Sequence, residues 1–392
     1  MKQGWNTVKL AEICEFVKTP NLKKNLPYVG LEHIESHTGR FIGSLHSQKV
    51  KSTTFHFTKD LLLYGRLRPY LNKVLLPDFE GHCSTEIFPI QVNKSIDRKF
   101  LFYWFISDPI VKRINATWTG ARMPRANMKA VLNFELDVPP LPDQRRIVTI
   151  LDEAFAAIAK AKANAEKNLR NAKELFESYL HGVFIDKRWE VKVLGDLCEN
   201  VDYGSATKSK KQGKLPVLRM GNIQNGRFVW DDLVYSDNLK DNEQYLLRHN
   251  DVLFNRANSP ELVGKTAIYK SEMPAIFAGY LIRINRKESL LDADYLNYYL
   301  NSRMANDYGK TVMTSSVNQA NISGTKLKGY PIPCPPLKEQ EIIVKELDSL
   351  AKETGKLESV YVRKLAMLDS LRKSILQKAF NGELKTATKE LA

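Results

Sequence analysis

Cysteine is scarce in this chain and does not cluster. Cys14, Cys83, Cys198 and Cys334 are the only four in 392 residues, and no two form a CxxC pair. That spacing argues against a disulfide-stapled scaffold or a thiolate zinc site, and a reduced, cytoplasmic protein is expected. The seven histidines (33, 37, 46, 56, 82, 181 and 249) show no HExxH or paired-ligand spacing, so no metal is expected. No apolar run approaches the roughly 20 residues that span a bilayer. The opening MKQGWNTVKL has no apolar core of the kind a secretory signal needs. Acidic residues are the minority charge, 44 against 59 Lys and Arg, which leaves a net charge of +15.

Motifs of catalysis are also missing. There is no glycine-rich S-adenosylmethionine loop and no Asn-Pro-Pro-Tyr methylation motif; LDVPPLP (136–142) is a near miss in which Val138 separates Asp137 from the proline pair. SPELVGKT (259–266) approximates a P-loop, but Ser259-Pro260 stands where the first glycine must leave backbone N–H groups free for phosphate. EVK (190–192) has no usable upstream Pro-Asp for a metal nuclease. The chain reads as a binding and scaffolding component.

A duplication is what the sequence does contain. WNTVKLAEIC (5–14) matches WEVKVLGDLC (189–198), DLLLYGRLRPYL (60–71) lies opposite DVLFNRANSPEL (251–262), and PPLPDQRRIV (139–148) lies opposite PPLKEQEIIV (335–344). The offset grows from 184 at the first pair to 196 at the last, so the compact part of each copy has tolerated insertions. After the Pro-Pro the drift stops. Apolar residues at Ile147, Leu151, Ile158, Leu169 and Leu175 recur 196 residues later, and Ile343, Leu347, Leu350, Leu357, Leu365 and Leu371 continue the pattern, with Thr354 the polar exception. The alternating spacing of three and four is that of a coiled-coil seam. One inserted residue would rotate all that follows by about 100°. The expected segments are a domain at 1–138, a helix with its exit at 139–188, a domain at 189–334, and a helix and tail at 335–392. Proline can begin these helices but not interrupt them. Helix ends are expected at His181-Gly182 and Asn381-Gly382. The domains read as mixed α/β, with strands such as FPIQV (88–92) and LIRIN (281–285) followed by helices at 100–107 and 295–302. The aromatics of those helices suit core packing better than base stacking. If the two long helices pair within one chain, they must run antiparallel.

Where the charge sits matters more than its size. Residues 1–138 carry 20 basic and 12 acidic side chains, residues 189–334 carry 19 and 16. A basic excess in the domains favours a polyanion. Candidate contacts are planar or basic side chains near strand ends. YGRLRPYLNK (64–73) supplies Arg66, Arg68, Tyr70, Asn72 and Lys73; its counterpart supplies Asn255, Arg256 and Asn258. Arg and Asn are the side chains that read guanine and adenine bidentately. Arg66 and Arg256 pairing with internal carboxylates is the competing reading. A second candidate, WTGARMPRANM (118–128) opposite VMTSSVNQANI (312–322), shares an Ala-Asn frame while Arg122 and Arg125 face Ser315, Ser316, Asn318 and Gln319. Lys23, Lys24, Lys208, Lys210 and Lys211 in basic loops, together with Arg219, suit phosphate contacts or simple solvation.

The paired WxxxxLxxxC openings, D-(L/V)-L motifs (60–62, 251–253) and PPL…Q…I segments (139–147, 335–343), in order along the whole chain, resemble the specificity (S) subunit of type I restriction–modification enzymes. The resemblance implies α/β target recognition domains in two copies, each reading half of a bipartite asymmetric site on double-stranded DNA. It implies that the helices pair as an antiparallel coiled coil, set the spacer and dock two modification (M) subunits, with restriction (R) subunits joining them. No catalytic site or cofactor is expected in this chain; S-adenosylmethionine, ATP and Mg belong to the partners. Two other readings stand beside it: an S-type DNA-binding adaptor of another defence methyltransferase or nuclease, and a coiled-coil protein whose domains bind protein.

Overall fold

The computed structural model describes residues 4–23, 25–47, 50–120, 122–185, 188–316 and 319–384. The chain divides into two compact units. One comprises Met1–Glu166 with Val362–Ala392, the other Lys167–Tyr361. The division cuts each long helix, so each unit holds one α/β domain and a half of both helices.

In the first unit, strands Cys14–Phe16, Ile87–Val92, Leu62–Gly65 and Val74–Leu75 lie side by side in that order. The pairing is antiparallel, with Leu62 opposite Ile90 and Tyr64 opposite Phe88. A smaller sheet joins Tyr28–Val29, Gly81–Ser84 and Thr54–Phe57. In the second unit the corresponding strands, Cys198–Tyr203, Leu281–Arg286, Val252–Asn255 and Thr266–Ile268, continue through Arg227–Phe228 to Ile223–Gln224 as six. The mixed α/β reading holds. Val, Ile and Leu fill both faces of the central strands, because a helix covers one face and the smaller sheet's core the other.

Those covering helices, Arg98–Phe105 and Ala293–Asn301, start at Asp97 and Asp292, whose carboxylates accept from backbone N–H groups of the first turn. Their aromatics are core, as expected: Phe100, Trp104, Tyr295 and Tyr299 are buried. Each domain closes with a two-stranded ribbon, Asn6–Lys9 against Glu135–Val138 and Val191–Val193 against Pro331–Pro333, directly before the proline pair. The long helices then run Leu141–Phe184 and Leu337–Phe380, about 66 Å each at 1.5 Å per residue.

Each helix start is held by the same device. Gln144 is fully buried; its Nε2 donates to the Ser95 and Pro139 carbonyls (2.9 and 2.8 Å) and its Oε1 accepts from Asp97 N (2.7 Å). Gln340 repeats this with Leu290, Pro335 and Asp292. About two turns further on, Tyr103 donates to Asp152 and Tyr298 to Asp348, both at 2.5 Å.

Within the first unit the two helix halves are antiparallel: Ile147 and Leu151 share a core with Leu376 and Ala379, the Arg372 guanidinium lies over Phe155 (5.0 Å), and Lys162 pairs with Asp369 (2.7 Å). In the second, Leu180 and Phe184 share a core with Ile343 and Leu347, and Tyr179 donates to Glu346 (2.8 Å). Ile158, Leu169, Leu350 and Leu365 also face inward or half inward. Three seam positions need correction. Leu175, Leu357 and Leu371 are 53, 44 and 47 % exposed, and the next residues, Phe176, Glu358 and Arg372, take their places. The buried face of the second helix follows Thr354, Glu358, Tyr361, Leu365, Leu368, Arg372 and Ile375 in strict heptad spacing. Thr354 is buried on the seam, its hydroxyl donating to Leu350 O (2.8 Å), and Arg372 buries its stem while its Nη2 reaches His37 O (3.0 Å). The first helix also does not stop at Gly182. It runs on to Phe184, because that ring is buried against Tyr295 and Tyr299. Gly382, with φ +69°, ends the second as expected.

Candidate nucleic-acid interface

The two candidate segments of each domain meet at one end of the central sheet. In the first unit, Ala126 N donates to Arg66 O (2.8 Å) and Arg68 N to Pro124 O (2.7 Å), so 64–70 and 118–126 are stitched side by side. Thr119 and Arg125 bridge each other and close a short finger, with Gly120 at φ +91°, on which Arg122 and Met123 are exposed, and Trp118 is exposed just before it. In the second unit, Ile322 N donates to Arg256 O (2.9 Å), and Ala257–Asn258, Gln319–Asn321 and Thr314–Ser316 form a three-stranded edge on which Ser315, Ser316 and Gln319 are exposed. The same stitching in both units corrects the alignment. Asn127 caps the helix Met128–Val131 and Ser323 caps Gly324–Lys328, so Asn127 corresponds to Ser323, two residues beyond the shared Ala-Asn frame. Asn321 therefore stands opposite Arg125.

Around Arg66 the first unit builds a charged cluster that the sequence did not reveal. Arg66 Nε donates to Glu86 Oε2 (2.9 Å); Arg125 grips the same carboxylate from the other side through Nε (2.9 Å) and Nη2 (2.8 Å). Burial alone would raise the Glu86 pKa, but the hydrogen bonds and charges of Arg125 and Arg66 outweigh it and hold the carboxyl below its ordinary range. The Phe88 ring carries Arg66 on one side (5.0 Å) and Lys18 (4.3 Å). The internal-carboxylate reading thus applies to Arg66, and Glu86 comes from a strand end 20 residues away. Among the described residues Arg256 has no carboxylate partner: its Nη1 donates to Gly279 O (3.3 Å), its Nη2 to Asn321 Oδ1 (3.4 Å), and it lies over Tyr203 (4.9 Å). Tyr203 and Tyr280, exposed at the same edge, were not singled out from the sequence either.

Several expected contacts turn out to be structural. Asn72 is 1 % exposed at φ +42°, a left-handed position that asparagine tolerates, ending the turn Pro69–Leu71. Lys73 is half-buried, and its Nζ is turned onto its own domain, donating to the Leu31 and Ile34 carbonyls (2.8 and 2.7 Å). Asn255, also 1 % exposed, donates to Leu262 O (3.0 Å) and closes its loop. Arg219 straps its own loop through Asp232 (3.0 Å). Asn258 accepts from Ser259 N (2.8 Å) and is half-buried. Arg68, Tyr70, Arg122, Lys208 and Lys211 are exposed, while Lys210 pairs with Asp237 (3.0 Å). Lys23 joins Glu80 and His56 in a separate group on the smaller sheet. Lys24 and Asn318 lie outside the described residues. Among the described residues there is no cluster of His, Cys, Asp and Glu able to hold a metal, and no helix long and apolar enough to cross a membrane.

A family model described as the type I restriction modification DNA specificity domain matches twice, over residues 2–167 and 186–361. The chain belongs to that family. The two matches repeat the duplication read from the sequence. Similar proteins include the StySPI specificity subunit of Salmonella potsdam, 24 % identical over 98 % of this chain and 90 % of that one. The EcoDI specificity subunit of Escherichia coli is 29 % identical, but the match spans 45 % of this chain and 40 % of that protein. The solved HsdS subunit of Thermoanaerobacter tengcongensis covers 98 % of both chains with a TM-score of 0.63 and 23 % identity. A chain from a structure of type I R-M complex assembly covers 97 % of this chain and 99 % of its own, with a TM-score of 0.81 at 24 % identity. These likenesses establish the fold of specificity subunits for this chain.

Proposed function

We propose that this chain is the DNA sequence-recognition subunit of a type I restriction–modification complex. Each domain reads one half of a bipartite asymmetric duplex site through the stitched sheet edge described above. The observation that carries this is the pairing of sameness and difference: a family-defining domain occurs twice, with the same backbone stitching at the same edge, yet Arg122 and Arg125 stand on one finger where Ser315, Ser316 and Gln319 stand on the other. A frame shared by both copies with exchanged polar side chains suits two readers of different sequences. The long helices hold the half-sites at a fixed spacing and dock two modification subunits, to which restriction subunits add. Adenine methylation with S-adenosylmethionine and ATP-driven cleavage with Mg take place in those partners, and this chain contributes no catalytic group.

The test is duplex binding by the complex of this chain with its modification subunits, followed by mapping of modified adenines in the host genome. A bipartite modified motif is expected, with affinity that falls steeply between about 50 and 200 mM salt. Salt-insensitive binding with no modified motif would leave the coiled-coil, protein-binding reading in its place. A modified motif made without separate modification subunits would favour the adaptor of a single-chain enzyme.

A further inference from the structure

We infer that Arg66 reads a guanine in the first half-site, that Glu86 is its positioning residue, and that Arg256, its counterpart in the second domain, reads no base. The inference rests on the proposed function and deepens it to one position of one half-site.

A guanidinium reads guanine through two donors held side by side against O6 and N7. That requires a fork whose orientation is fixed and whose two terminal nitrogens remain available. Arg66 meets both conditions. Its Nε is spent on Glu86 (2.9 Å), its plane is flanked by Phe88, and its side chain is 32 % exposed. Among the described residues the Nη groups of Arg66 have no hydrogen-bond acceptor. Glu86 is itself fixed: its backbone carbonyl accepts from Arg66 N (2.9 Å), its N–H reaches Ser84 Oγ (3.2 Å), and Arg125 engages both carboxylate oxygens. Arg125 cannot play the reading part equally well. Its Nε and Nη2 are taken by Glu86, and its Nη1 leans on Met123 O (3.4 Å). Its role is to keep Glu86 from turning away.

The second domain shows what happens without the carboxylate. Arg256 N donates to Tyr280 O (3.0 Å) as Arg66 N does to Glu86 O, so Tyr280 occupies the Glu86 position. The Arg256 fork then turns inward: both Nη groups are on Gly279 O and Asn321 Oδ1, and its Nε is buried with no partner among the described residues. A fork closed on its own domain has no parallel donor pair to offer a base.

The experiment uses the full chain assembled with its modification subunits, and reads the base preference at every position of both half-sites. Arg66→Lys keeps the positive charge and loses the fork. It is expected to relax one G·C pair of one half-site, with discrimination falling on the order of tenfold to a hundredfold, while the other half-site is unchanged and reports an intact complex. Glu86→Gln is expected to relax the same pair by a smaller factor, an effect that a purely structural role for Glu86 would not confine to one position. Arg256→Lys is expected to relax none. An unaltered motif in Arg66→Lys overturns the inference, as does a uniform change in affinity across all sequences with no position relaxed, which marks a backbone contact rather than a base contact. A wild-type complex with no bipartite preference at all refutes the proposed function instead.

Discussion

Replacing Gln144 by Ala removes a side chain that is fully buried and makes three hydrogen bonds, two to carbonyls of Ser95 and Pro139 and one from Asp97 N. Each bond contributes about 0.5–1.5 kcal/mol net. Pro139 O is buried, whereas Ser95 is exposed and its carbonyl can recover a water. Two strong bonds lost, one recovered in part, and a small cavity bring the expected loss to about 3–4 kcal/mol. Spread over a unit of nearly 200 residues, where 1 kcal/mol moves the melting temperature by about 2–4 °C, the shift is roughly 6–16 °C. Because Asp97 also caps the helix Arg98–Phe105, the loss falls on the first unit. Hydrogen exchange followed by mass spectrometry on the full chain separates the units: protection is expected to drop in 6–9, 98–105, 135–166 and 362–380, with 189–334 unchanged. Gln340→Ala is expected to give the mirror pattern, since Leu290, Pro335 and Asp292 repeat the device. A loss below about 1 kcal/mol, or equal deprotection of both units by either substitution, would refute the reasoning.

Tyr103→Phe and Tyr298→Phe remove hydroxyls donated to Asp152 and Asp348; each is expected to cost about 1–2 kcal/mol, and the double variant to show the sum, because the sites lie in separate units. Glu86 has a depressed pKa in the folded chain, so its contribution is full above the ordinary Glu range and is lost as pH falls through that depressed value. The stability gap between wild type and Glu86→Gln is therefore expected to close in acid, and a gap that widens there contradicts the cluster. Burial pushes the Cys14 thiol up to about 12 and also raises Cys83, Cys198 and Cys334; alkylation of the native chain near neutral pH is expected to label Cys334 first, as the only cysteine among the four that is not buried. Four residues inserted near Ala161 add about 6 Å of helix. The modified motif is expected to keep both half-sites and change their separation, and an unaltered spacing would end the idea that the helix sets it.

The duplication, the strands, the helix starts after Pro-Pro and the register of the helices were legible because each depends on local pattern: apolar spacing, proline punctuation and an offset that stays at 196. What escaped depends on partners distant in sequence. Asn72, Asn255 and Lys73 carry the same polar groups as a surface reader, and only the fold shows that Leu262, Leu31 and Ile34 carbonyls satisfy two of them. Glu86 gave no signal, since Arg66 and Arg125 lie 20 and 39 residues away and its counterpart is Tyr280. The seam errors at Leu175, Leu357 and Leu371 have one cause. Residue type favoured the leucines, whereas heptad geometry through Thr354 selects the residues next to them, and Phe176 and the Arg372 stem are apolar enough to fill the place. The Ala-Asn frame was a coincidence of letters, resolved only by the caps at Asn127 and Ser323.

The interleaving of the units has a consequence for synthesis. The second unit, Lys167–Tyr361, is one continuous stretch, whereas the first must wait for Leu376 and Ala379 to cover Ile147 and Leu151. At about 5–20 residues per second, the 195 residues between Glu166 and Val362, the two stretches of the first unit, take roughly 10–40 s to emerge. During that interval the earlier-made unit carries an open apolar strip on its helix, and the later-made unit is the one that finishes first.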